Sequence, residues 1–258
     1  MIKTAIEAAT TAGKFLKQNL GKVRNIQQKS GQEKNLVTEI DKRSEEIIID
    51  IIKKHYPNHA ILAEESGTEK SKPSEYKWII DPLDGTTNFT HGLPVFCISI
   101  GIEFNDEIIS GVVYDPNHDE LFVAEKGRGA FLNGKRIRVS EKSTLNQSLL
   151  VTGFPYNITE NPDHAIEHFI NFLMKAQAVR RMGSAAIDLA YVACGRFDGF
   201  WEVALNPWDM AAGAILVTES GGMISDFSGN KFSIYQKQLL ASNGLIHKEM
   251  LKVIKNIK

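Results

Sequence analysis

The sequence predicts a mixed α/β (α+β) sandwich, and three observations carry that expectation. Apolar residues recur at helical spacing near both ends of the chain. The middle holds runs of strand-like residues joined by two-residue turn signals. In the second half, strand-like and helical segments alternate, so strands run beside strands while helices also intervene.

The elements follow in order. Residues 2–20 read as an amphipathic helix, with Ile2, Ile6, Ala9, Gly13, Leu16 and Leu20 at helical spacing and Gly21 as its stop. Residues 23–35 are polar and loop-like. Thr38-Glu39-Ile40-Asp41 fits a capping box that opens a helix to about His55, with Ile40, Ile47, Ile48, Ile51 and Ile52 as its buried face. Pro57 ends it. Residues 60–63 read as a short strand and 64–67 as a turn leaving it. A polar loop follows over 68–75. Strands at about 95–104 and 107–115 join at Asn105-Asp106, and 121–124 and 129–132 add further strands before the hairpin signal Asn133-Gly134. Beyond them come a strand at 149–153 and a helix over 161–176 with Pro162 in its first turn. A strand at 178–182 and a helix at 185–194 follow, then a strand at 199–203. A helix from Pro207 to about Ser220 is stopped by Gly221-Gly222. Strands at 223–226 and 238–241 precede a closing helix from 247 to 258.

Composition bounds the function. The 258 residues suit one large domain or two tightly joined lobes, near 1–145 and 146–258, with no linker-like boundary. The hydrophobic fraction of 43% and charged fraction of 24% are those of an ordinary globular protein. Cys97 and Cys194 have no short spacing, which argues against a disulfide framework or structural zinc and fits a reducing cytoplasm. A formal net charge of −1 without a long basic run leaves no electrostatic footprint for nucleic acid. No apolar run approaches the ~20 residues of a membrane helix, and the N-terminus lacks a signal-peptide core.

The chemistry centres on residues 78–91. Trp78-Ile79-Ile80 reads as the end of a buried strand, expected to stop where Asp81 meets Pro82. Asp84-Gly85-Thr86-Thr87 reads as a tight turn into a short helix. Two carboxylates three residues apart point the same way, and Gly85 and Thr86 offer backbone N–H groups that suit an anion. Carboxylates beside an anion site make sense if hard cations lie between them, which suggests metal-assisted phosphate chemistry. Glu64 and Glu65 at a strand end, and Asp209 in the first turn of a helix, each have a bland explanation as solvated or dipole-favoured carboxylates. Asp81 does not, because a free carboxylate between a buried strand and a proline is costly.

Thr86 either starts the helix or holds the attacking water. Gly183-Ser184-Ala185 opens a helix and offers N–H groups and a hydroxyl to a substrate oxygen. Glu202, placed just past a strand, is either a surface charge or a ligand for substrate hydroxyls. Lys29, Lys34, Arg180 and Arg181 read as solvated charges, although a lysine near an anion site would be unsurprising. His164-Ala165-Ile166-Glu167-His168 matches an inverted zinc-protease pattern, yet it opens a polar surface helix with no third ligand in view. No Walker loop or Gly-x-Gly-x-x-Gly occurs.

Residues 78–89 resemble the signature of the inositol monophosphatase family. Pro207-Trp208-Asp209-Met210-Ala211-Ala212-Gly213 resembles its second signature. Glu64-Glu65-Ser66-Gly67 and Leu36-Val37-Thr38-Glu39-Ile40-Asp41 fit in the same order, so the likeness spans nearly the whole chain. The resemblance implies a layered αβαβα sandwich of the inositol monophosphatase and fructose-1,6-bisphosphatase type, usually a homodimer. It also implies a magnesium-dependent, lithium-sensitive phosphatase of small phosphomonoesters, holding two to three Mg2+. By position, Glu64, Asp81 and the Leu83 carbonyl would bind the first metal, with a weaker third near Glu64. Asp81, Asp84 and Asp209 would bind the second. Thr86 and Glu64 would orient water. Gly85 and Thr86 would hold phosphate. Gly183, Ser184, Ala185 and Glu202 would face the alcohol, with Ser184 where relatives often carry threonine. Asp41 is less marked, since its capping role would suffice. The readings that follow are hydrolysis of inositol monophosphate, a sibling activity on fructose 1,6-bisphosphate, histidinol phosphate or a 3′-phosphonucleotide, and a regulatory binding protein that keeps the fold.

Overall fold

Helix α1 (Ile2–Asn19) buries Ala5, Ala8, Ala9, Ala12 and Leu16 along one stripe, so small side chains bring it close to what lies beneath. The computed structural model describes residues 1–22, 26–28, 36–68 and 74–256. Strands β1 (Ile26–Gln28) and β2 (Leu36–Thr38) pair antiparallel, inside and beside the stretch expected to be loop. Lys29 and Lys34 lie outside the described residues. Helix α2 (Glu39–His55) starts at the expected capping box, with Thr38 and Asp41 bonded reciprocally.

The remaining elements of the first half are β3 (Ala60–Ala63), β4 (Gly67–Thr68), β5 (Tyr76–Asp84), α3 (Thr86–Thr90), β6 (Cys97–Phe104), β7 (Glu107–Asp115), β8 (Glu120–Glu125), β9 (Gly129–Leu132) and β10 (Lys135–Arg136). They form one sheet in the order β10-β9-β8-β7-β6-β5-β3-β4. Both predicted hairpin turns are present, with positive φ at Asn105 and Asp106 and at Asn133 and Gly134. The second half holds β11 (Leu149–Thr152), α4 (Ala165–Leu173), β12 (Ala178–Arg180), α5 (Ala185–Ala193), β13 (Gly199–Val203), α6 (Pro207–Glu219), β14 (Met223–Ser225), β15 (Gln238–Ser242) and α7 (His247–Lys255). Its sheet runs β12-β11-β13-β15-β14, mixing parallel and antiparallel pairs.

These parts stack in five layers. α1 and α2 cover one face of the large sheet, and α5 and α6 fill the space between the two sheets. α4 and α7 cover the far face of the small sheet around Phe172, Trp201 and Met250. The order is αβαβα, as the resemblance implied. α6 can lie close on the large sheet because a Cβ at Gly101 or Gly111 would stand 2.6 Å and 2.7 Å from Ala211 and Ala212.

Three further expectations need correction. β5 does not stop at Pro82 but runs on to Asp84. Its register with β6 shifts between Asp81 and Asp84, and this irregularity accommodates the missing proline N–H. The helix over 161–176 shrinks to α4. Pro162–His164 forms a 3-10 turn with Asp163 and His164 at positive φ. There the Asn161 side chain takes the N–H of Ile166 and donates to Glu167, a local bonding pattern that competes with helix. Glu202 lies within β13 and not beyond it.

Candidate active site

The polar end of α2 builds much of the site. Asp41, Ser44 and Glu45 share the inner face with Ile48 and Ile52, and all five are buried. Each polar member holds a different loop. Glu45 accepts the N–H groups of Glu65 and Ser66 at 2.8 and 2.9 Å, which fixes the turn carrying Glu64. The Ser44 hydroxyl donates to the Pro82 carbonyl at 2.8 Å and pins the irregular end of β5. Thr86 Oγ1 stands 2.9 Å from Asp41 Oδ1 and 3.1 Å from the Leu83 carbonyl.

Gly85 turns the chain from β5 into α3 at φ 106, a conformation that favours glycine. Asn88, buried one turn later, donates to the carbonyls of Val95 and Met182 at 2.8 Å each. It thereby ties the α3 corner to the Gly183 turn of the second half. Ser184 caps α5, and its hydroxyl donates to Asp84 Oδ2 at 2.7 Å. The Ala186 N–H reaches the same oxygen at 2.7 Å. Asp209 accepts the Asn206 N–H at 2.7 Å at the start of α6, which occupies one of its two oxygens.

Glu64, Asp81, Leu83, Asp84, Gly85, Thr86, Gly183, Ser184, Ala185, Glu202 and Asp209 all border one cavity of about 330 Å³. Arg181 borders it too, whereas Arg180 is exposed on β12. Ser184 is 2% exposed, so its hydroxyl serves Asp84 and the helix start. Sequence reasoning missed Gly153, Asp188 and Lys237 on the cavity wall, as well as the supporting Ser44, Glu45 and Asn88. The signal for Ser44 and Glu45 was available: they fall three and four residues after Asp41, on its face of the helix.

The electrostatics are lopsided. Burial pushes Asp81 well above the usual carboxylate range, and Glu64, Asp84 and Asp209 push it further. Asp209 is raised well above it for the same reasons, burial first and then Glu64 and Asp84. Burial also raises Asp84, opposed by the donors from Ser184, Ala186 and Ala185. Asp41 is raised by burial against the bonds from Thr38 and Thr86. Several carboxylates that disfavour one another's charge need cations to ionise together. The donor set is carboxylate and carbonyl oxygen, the chemistry of a hard divalent cation. Among the described residues, no three His, Cys, Asp or Glu side chains draw together into a closed metal cage. The fit therefore rests on donor type and mutual repulsion. His164 sits before α4 at φ 56, and buried His168 packs edge-on against Phe227.

The whole chain, residues 1–258, matches the inositol monophosphatase family model. The chain belongs to the inositol monophosphatase family. It is 47% identical to an inositol-1-monophosphatase of Synechocystis sp., over 98% of this chain and 88% of that one. It is 42% identical to the Nus factor SuhB of Pseudomonas aeruginosa, over 98% and 95%. The solved inositol monophosphatase of Anabaena superposes with a TM-score of 0.90 at 44% identity, covering 100% and 96% of the two chains. Inositol monophosphatase family membership supports a phosphatase, a hydrolase acting on a small phosphate ester, and the family is metal-dependent in general. Among the described residues, no helix is long and apolar enough to cross a membrane.

Proposed function

We propose that this chain hydrolyses a small phosphomonoester, inositol monophosphate first among candidates, by direct attack of water with two to three Mg2+ ions. The observation that carries this reading is the group of repelling carboxylates, Glu64, Asp81, Asp84 and Asp209, on one cavity. These four and the Leu83 carbonyl would hold the metal. When bound, magnesium supplies Lewis acidity and charge neutralisation for water, phosphate and leaving oxygen. Asp41 accepts from the Thr86 hydroxyl, so the oxygen lone pairs of Thr86 are free to accept from water that Glu64 also orients. The backbone of Gly85 and Thr86 faces the phosphate, and Gly183, Ala185 and Glu202 face the alcohol. Ser184 acts through Asp84. Such precise charge placement is what a reaction with a very high uncatalysed barrier requires.

Asp81→Asn and Asp209→Asn are each expected to abolish magnesium-dependent phosphate release while the far-ultraviolet dichroism stays unchanged. Release near the wild-type rate from either variant defeats the assignment. A screen of inositol 1-phosphate, fructose 1,6-bisphosphate, histidinol phosphate and a 3′-phosphonucleotide, with and without lithium, ranks the substrates. A homodimer fits the exposed apolar side chains Ile166, Ile170 and Met174 on and beside α4, and sedimentation equilibrium tests it. The two free cysteines support a reducing cytoplasmic setting.

A second reading, a regulatory role through protein partners, is favoured by relatives named Nus factor SuhB at 42 to 44% identity. Partner capture compared between wild type and Asp81→Asn separates it from catalysis. Loss of every specific partner in both would remove this reading.

A further inference from the structure

One wall of the cavity carries an acid that the hydrolytic centre does not use. Asp188 lies in the first turn of α5 and is 1% exposed. Neither oxygen of its carboxylate has a hydrogen-bond partner in the structure. Buried polar atoms are bonded in the large majority of cases, so an acid with both oxygens unmet calls for an explanation. Asp188 borders the cavity. The same wall carries Glu202 from β13. A Cβ at Gly153 would stand 2.2 Å from both Glu202 oxygens, so the glycine after β11 keeps the space for that carboxylate. Asp188 is held well above the carboxylate range by burial and then by Glu202, and Glu202 itself is pushed up to about 8 by burial and Asp84.

Charge narrows what fits against them. Arg181 borders the same cavity and already sets a positive charge against both Asp188 and Glu202, which leaves less for a cationic group to complete at this wall. An apolar alcohol would leave Asp188 as unsatisfied as it stands now. A neutral polyol offers hydroxyls that both donate and accept, which matches two neighbouring acids.

We propose that Asp188 is a specificity-determining residue that bonds a hydroxyl of a polyol leaving group, beside the hydroxyl taken by Glu202. This rests on the phosphatase reading above and extends it to the class of alcohol released. A site whose polar groups are completed only by substrate hydroxyls discriminates strongly against an ester that lacks them. Its unmet acid also stands as a stability cost that the substrate relieves.

The test uses the full chain with Mg2+, comparing wild type, Asp188→Asn and Asp188→Leu on inositol 1-phosphate, histidinol phosphate and p-nitrophenyl phosphate. In Asp188→Leu, kcat/KM for inositol 1-phosphate is expected to fall at least ~10-fold relative to p-nitrophenyl phosphate, the scale of one lost bond to a buried acid. Asp188→Asn is expected to keep part of the preference, since its amide still bonds a hydroxyl. Tm is expected to hold or rise in both variants, because an unpartnered buried acid is removed. An equal fall on every ester with a lowered Tm would assign Asp188 to packing and overturn the proposal. An unchanged ratio overturns it too, as does a greater loss on histidinol phosphate, which would show a wall that reads positive charge. If the wild type releases no phosphate from any of the three esters under magnesium, the phosphatase reading itself fails and carries this one with it.

Discussion

Thr86 shows how much one hydroxyl has to do in this cavity. It reaches back to Asp41 and across to the Leu83 carbonyl, so its orientation is set before any substrate arrives. Thr86→Val keeps the shape and removes the hydroxyl. Phosphate release is expected to fall ~10²-fold or more, the usual scale for a group that positions a proton transfer. Thermal unfolding should show a loss of ~1–3 kcal/mol as well, because Oδ1 of buried Asp41 then lacks its donor while Oδ2 keeps those of Thr38. Full activity in Thr86→Val would remove the residue from the mechanism. Asp41 itself was readable as a cap from the Thr38-to-Asp41 spacing. Its second partner lies 45 residues away, and no local spacing encodes that contact.

At the scale of the element, α2 is the frame of the site. An ordinary amphipathic helix buries an apolar stripe along its length, but the first half of this stripe is Asp41, Ser44 and Glu45. Glu45 alone holds two N–H groups of the turn that carries Glu64. Glu45→Gln leaves one of those N–H groups facing a donor. Apparent magnesium affinity in phosphate release is expected to weaken ~10–100-fold, the range for groups that orient metal ligands. A magnesium titration matching wild type would show that the turn stands without it. Strands and helices were largely legible along the chain because burial imprints a period of 2 or 3.6 on each. The misreadings fell where a side chain or a proline overrode that period, at the Pro82 irregularity of β5 and at Asn161 before α4.

Across the whole molecule, the stacking of layers brings charge from both halves to one place. Glu64, Asp81 and Asp84 come from the large sheet, Asp209 from α6 and Glu202 from the small sheet. Asp81, Asp84, Asp209, Asp188 and Glu202 all have raised proton affinities in the folded chain. A folded chain that keeps protons the unfolded chain releases loses stability as pH rises. For Glu202 that loss runs from about 4.5, its unfolded value, up to about 8. Metal-free protein is therefore expected to show a Tm that declines over this window. Magnesium at pH 8 should restore it, by roughly 2.7 kcal/mol at a hundredfold excess over Kd. Calorimetry in chelator and in magnesium measures both. A metal-free Tm that rises over the window, or no response to magnesium, would contradict the picture of repelling carboxylates awaiting cations.

The sequence by itself pointed to the kind of chemistry and to the carboxylates proposed here as its first ligands. Asp81 before a proline, Asp84 on the same turn and a glycine at the corner are local features, and local backbone rules make their meaning visible. It also determined the alternation that builds five layers. The tertiary structure decided how those carboxylates are held and what else lines the cavity. Ser184 became a support for Asp84, Glu45 a clamp on the Glu64 turn, Gly153 a space for Glu202, and Asp188 an acid facing the cavity without a partner. These are contacts between residues 20 to 100 positions apart. They exist only once apolar burial has stacked the layers, and polar residues inside those layers must then find partners across them or wait for a ligand.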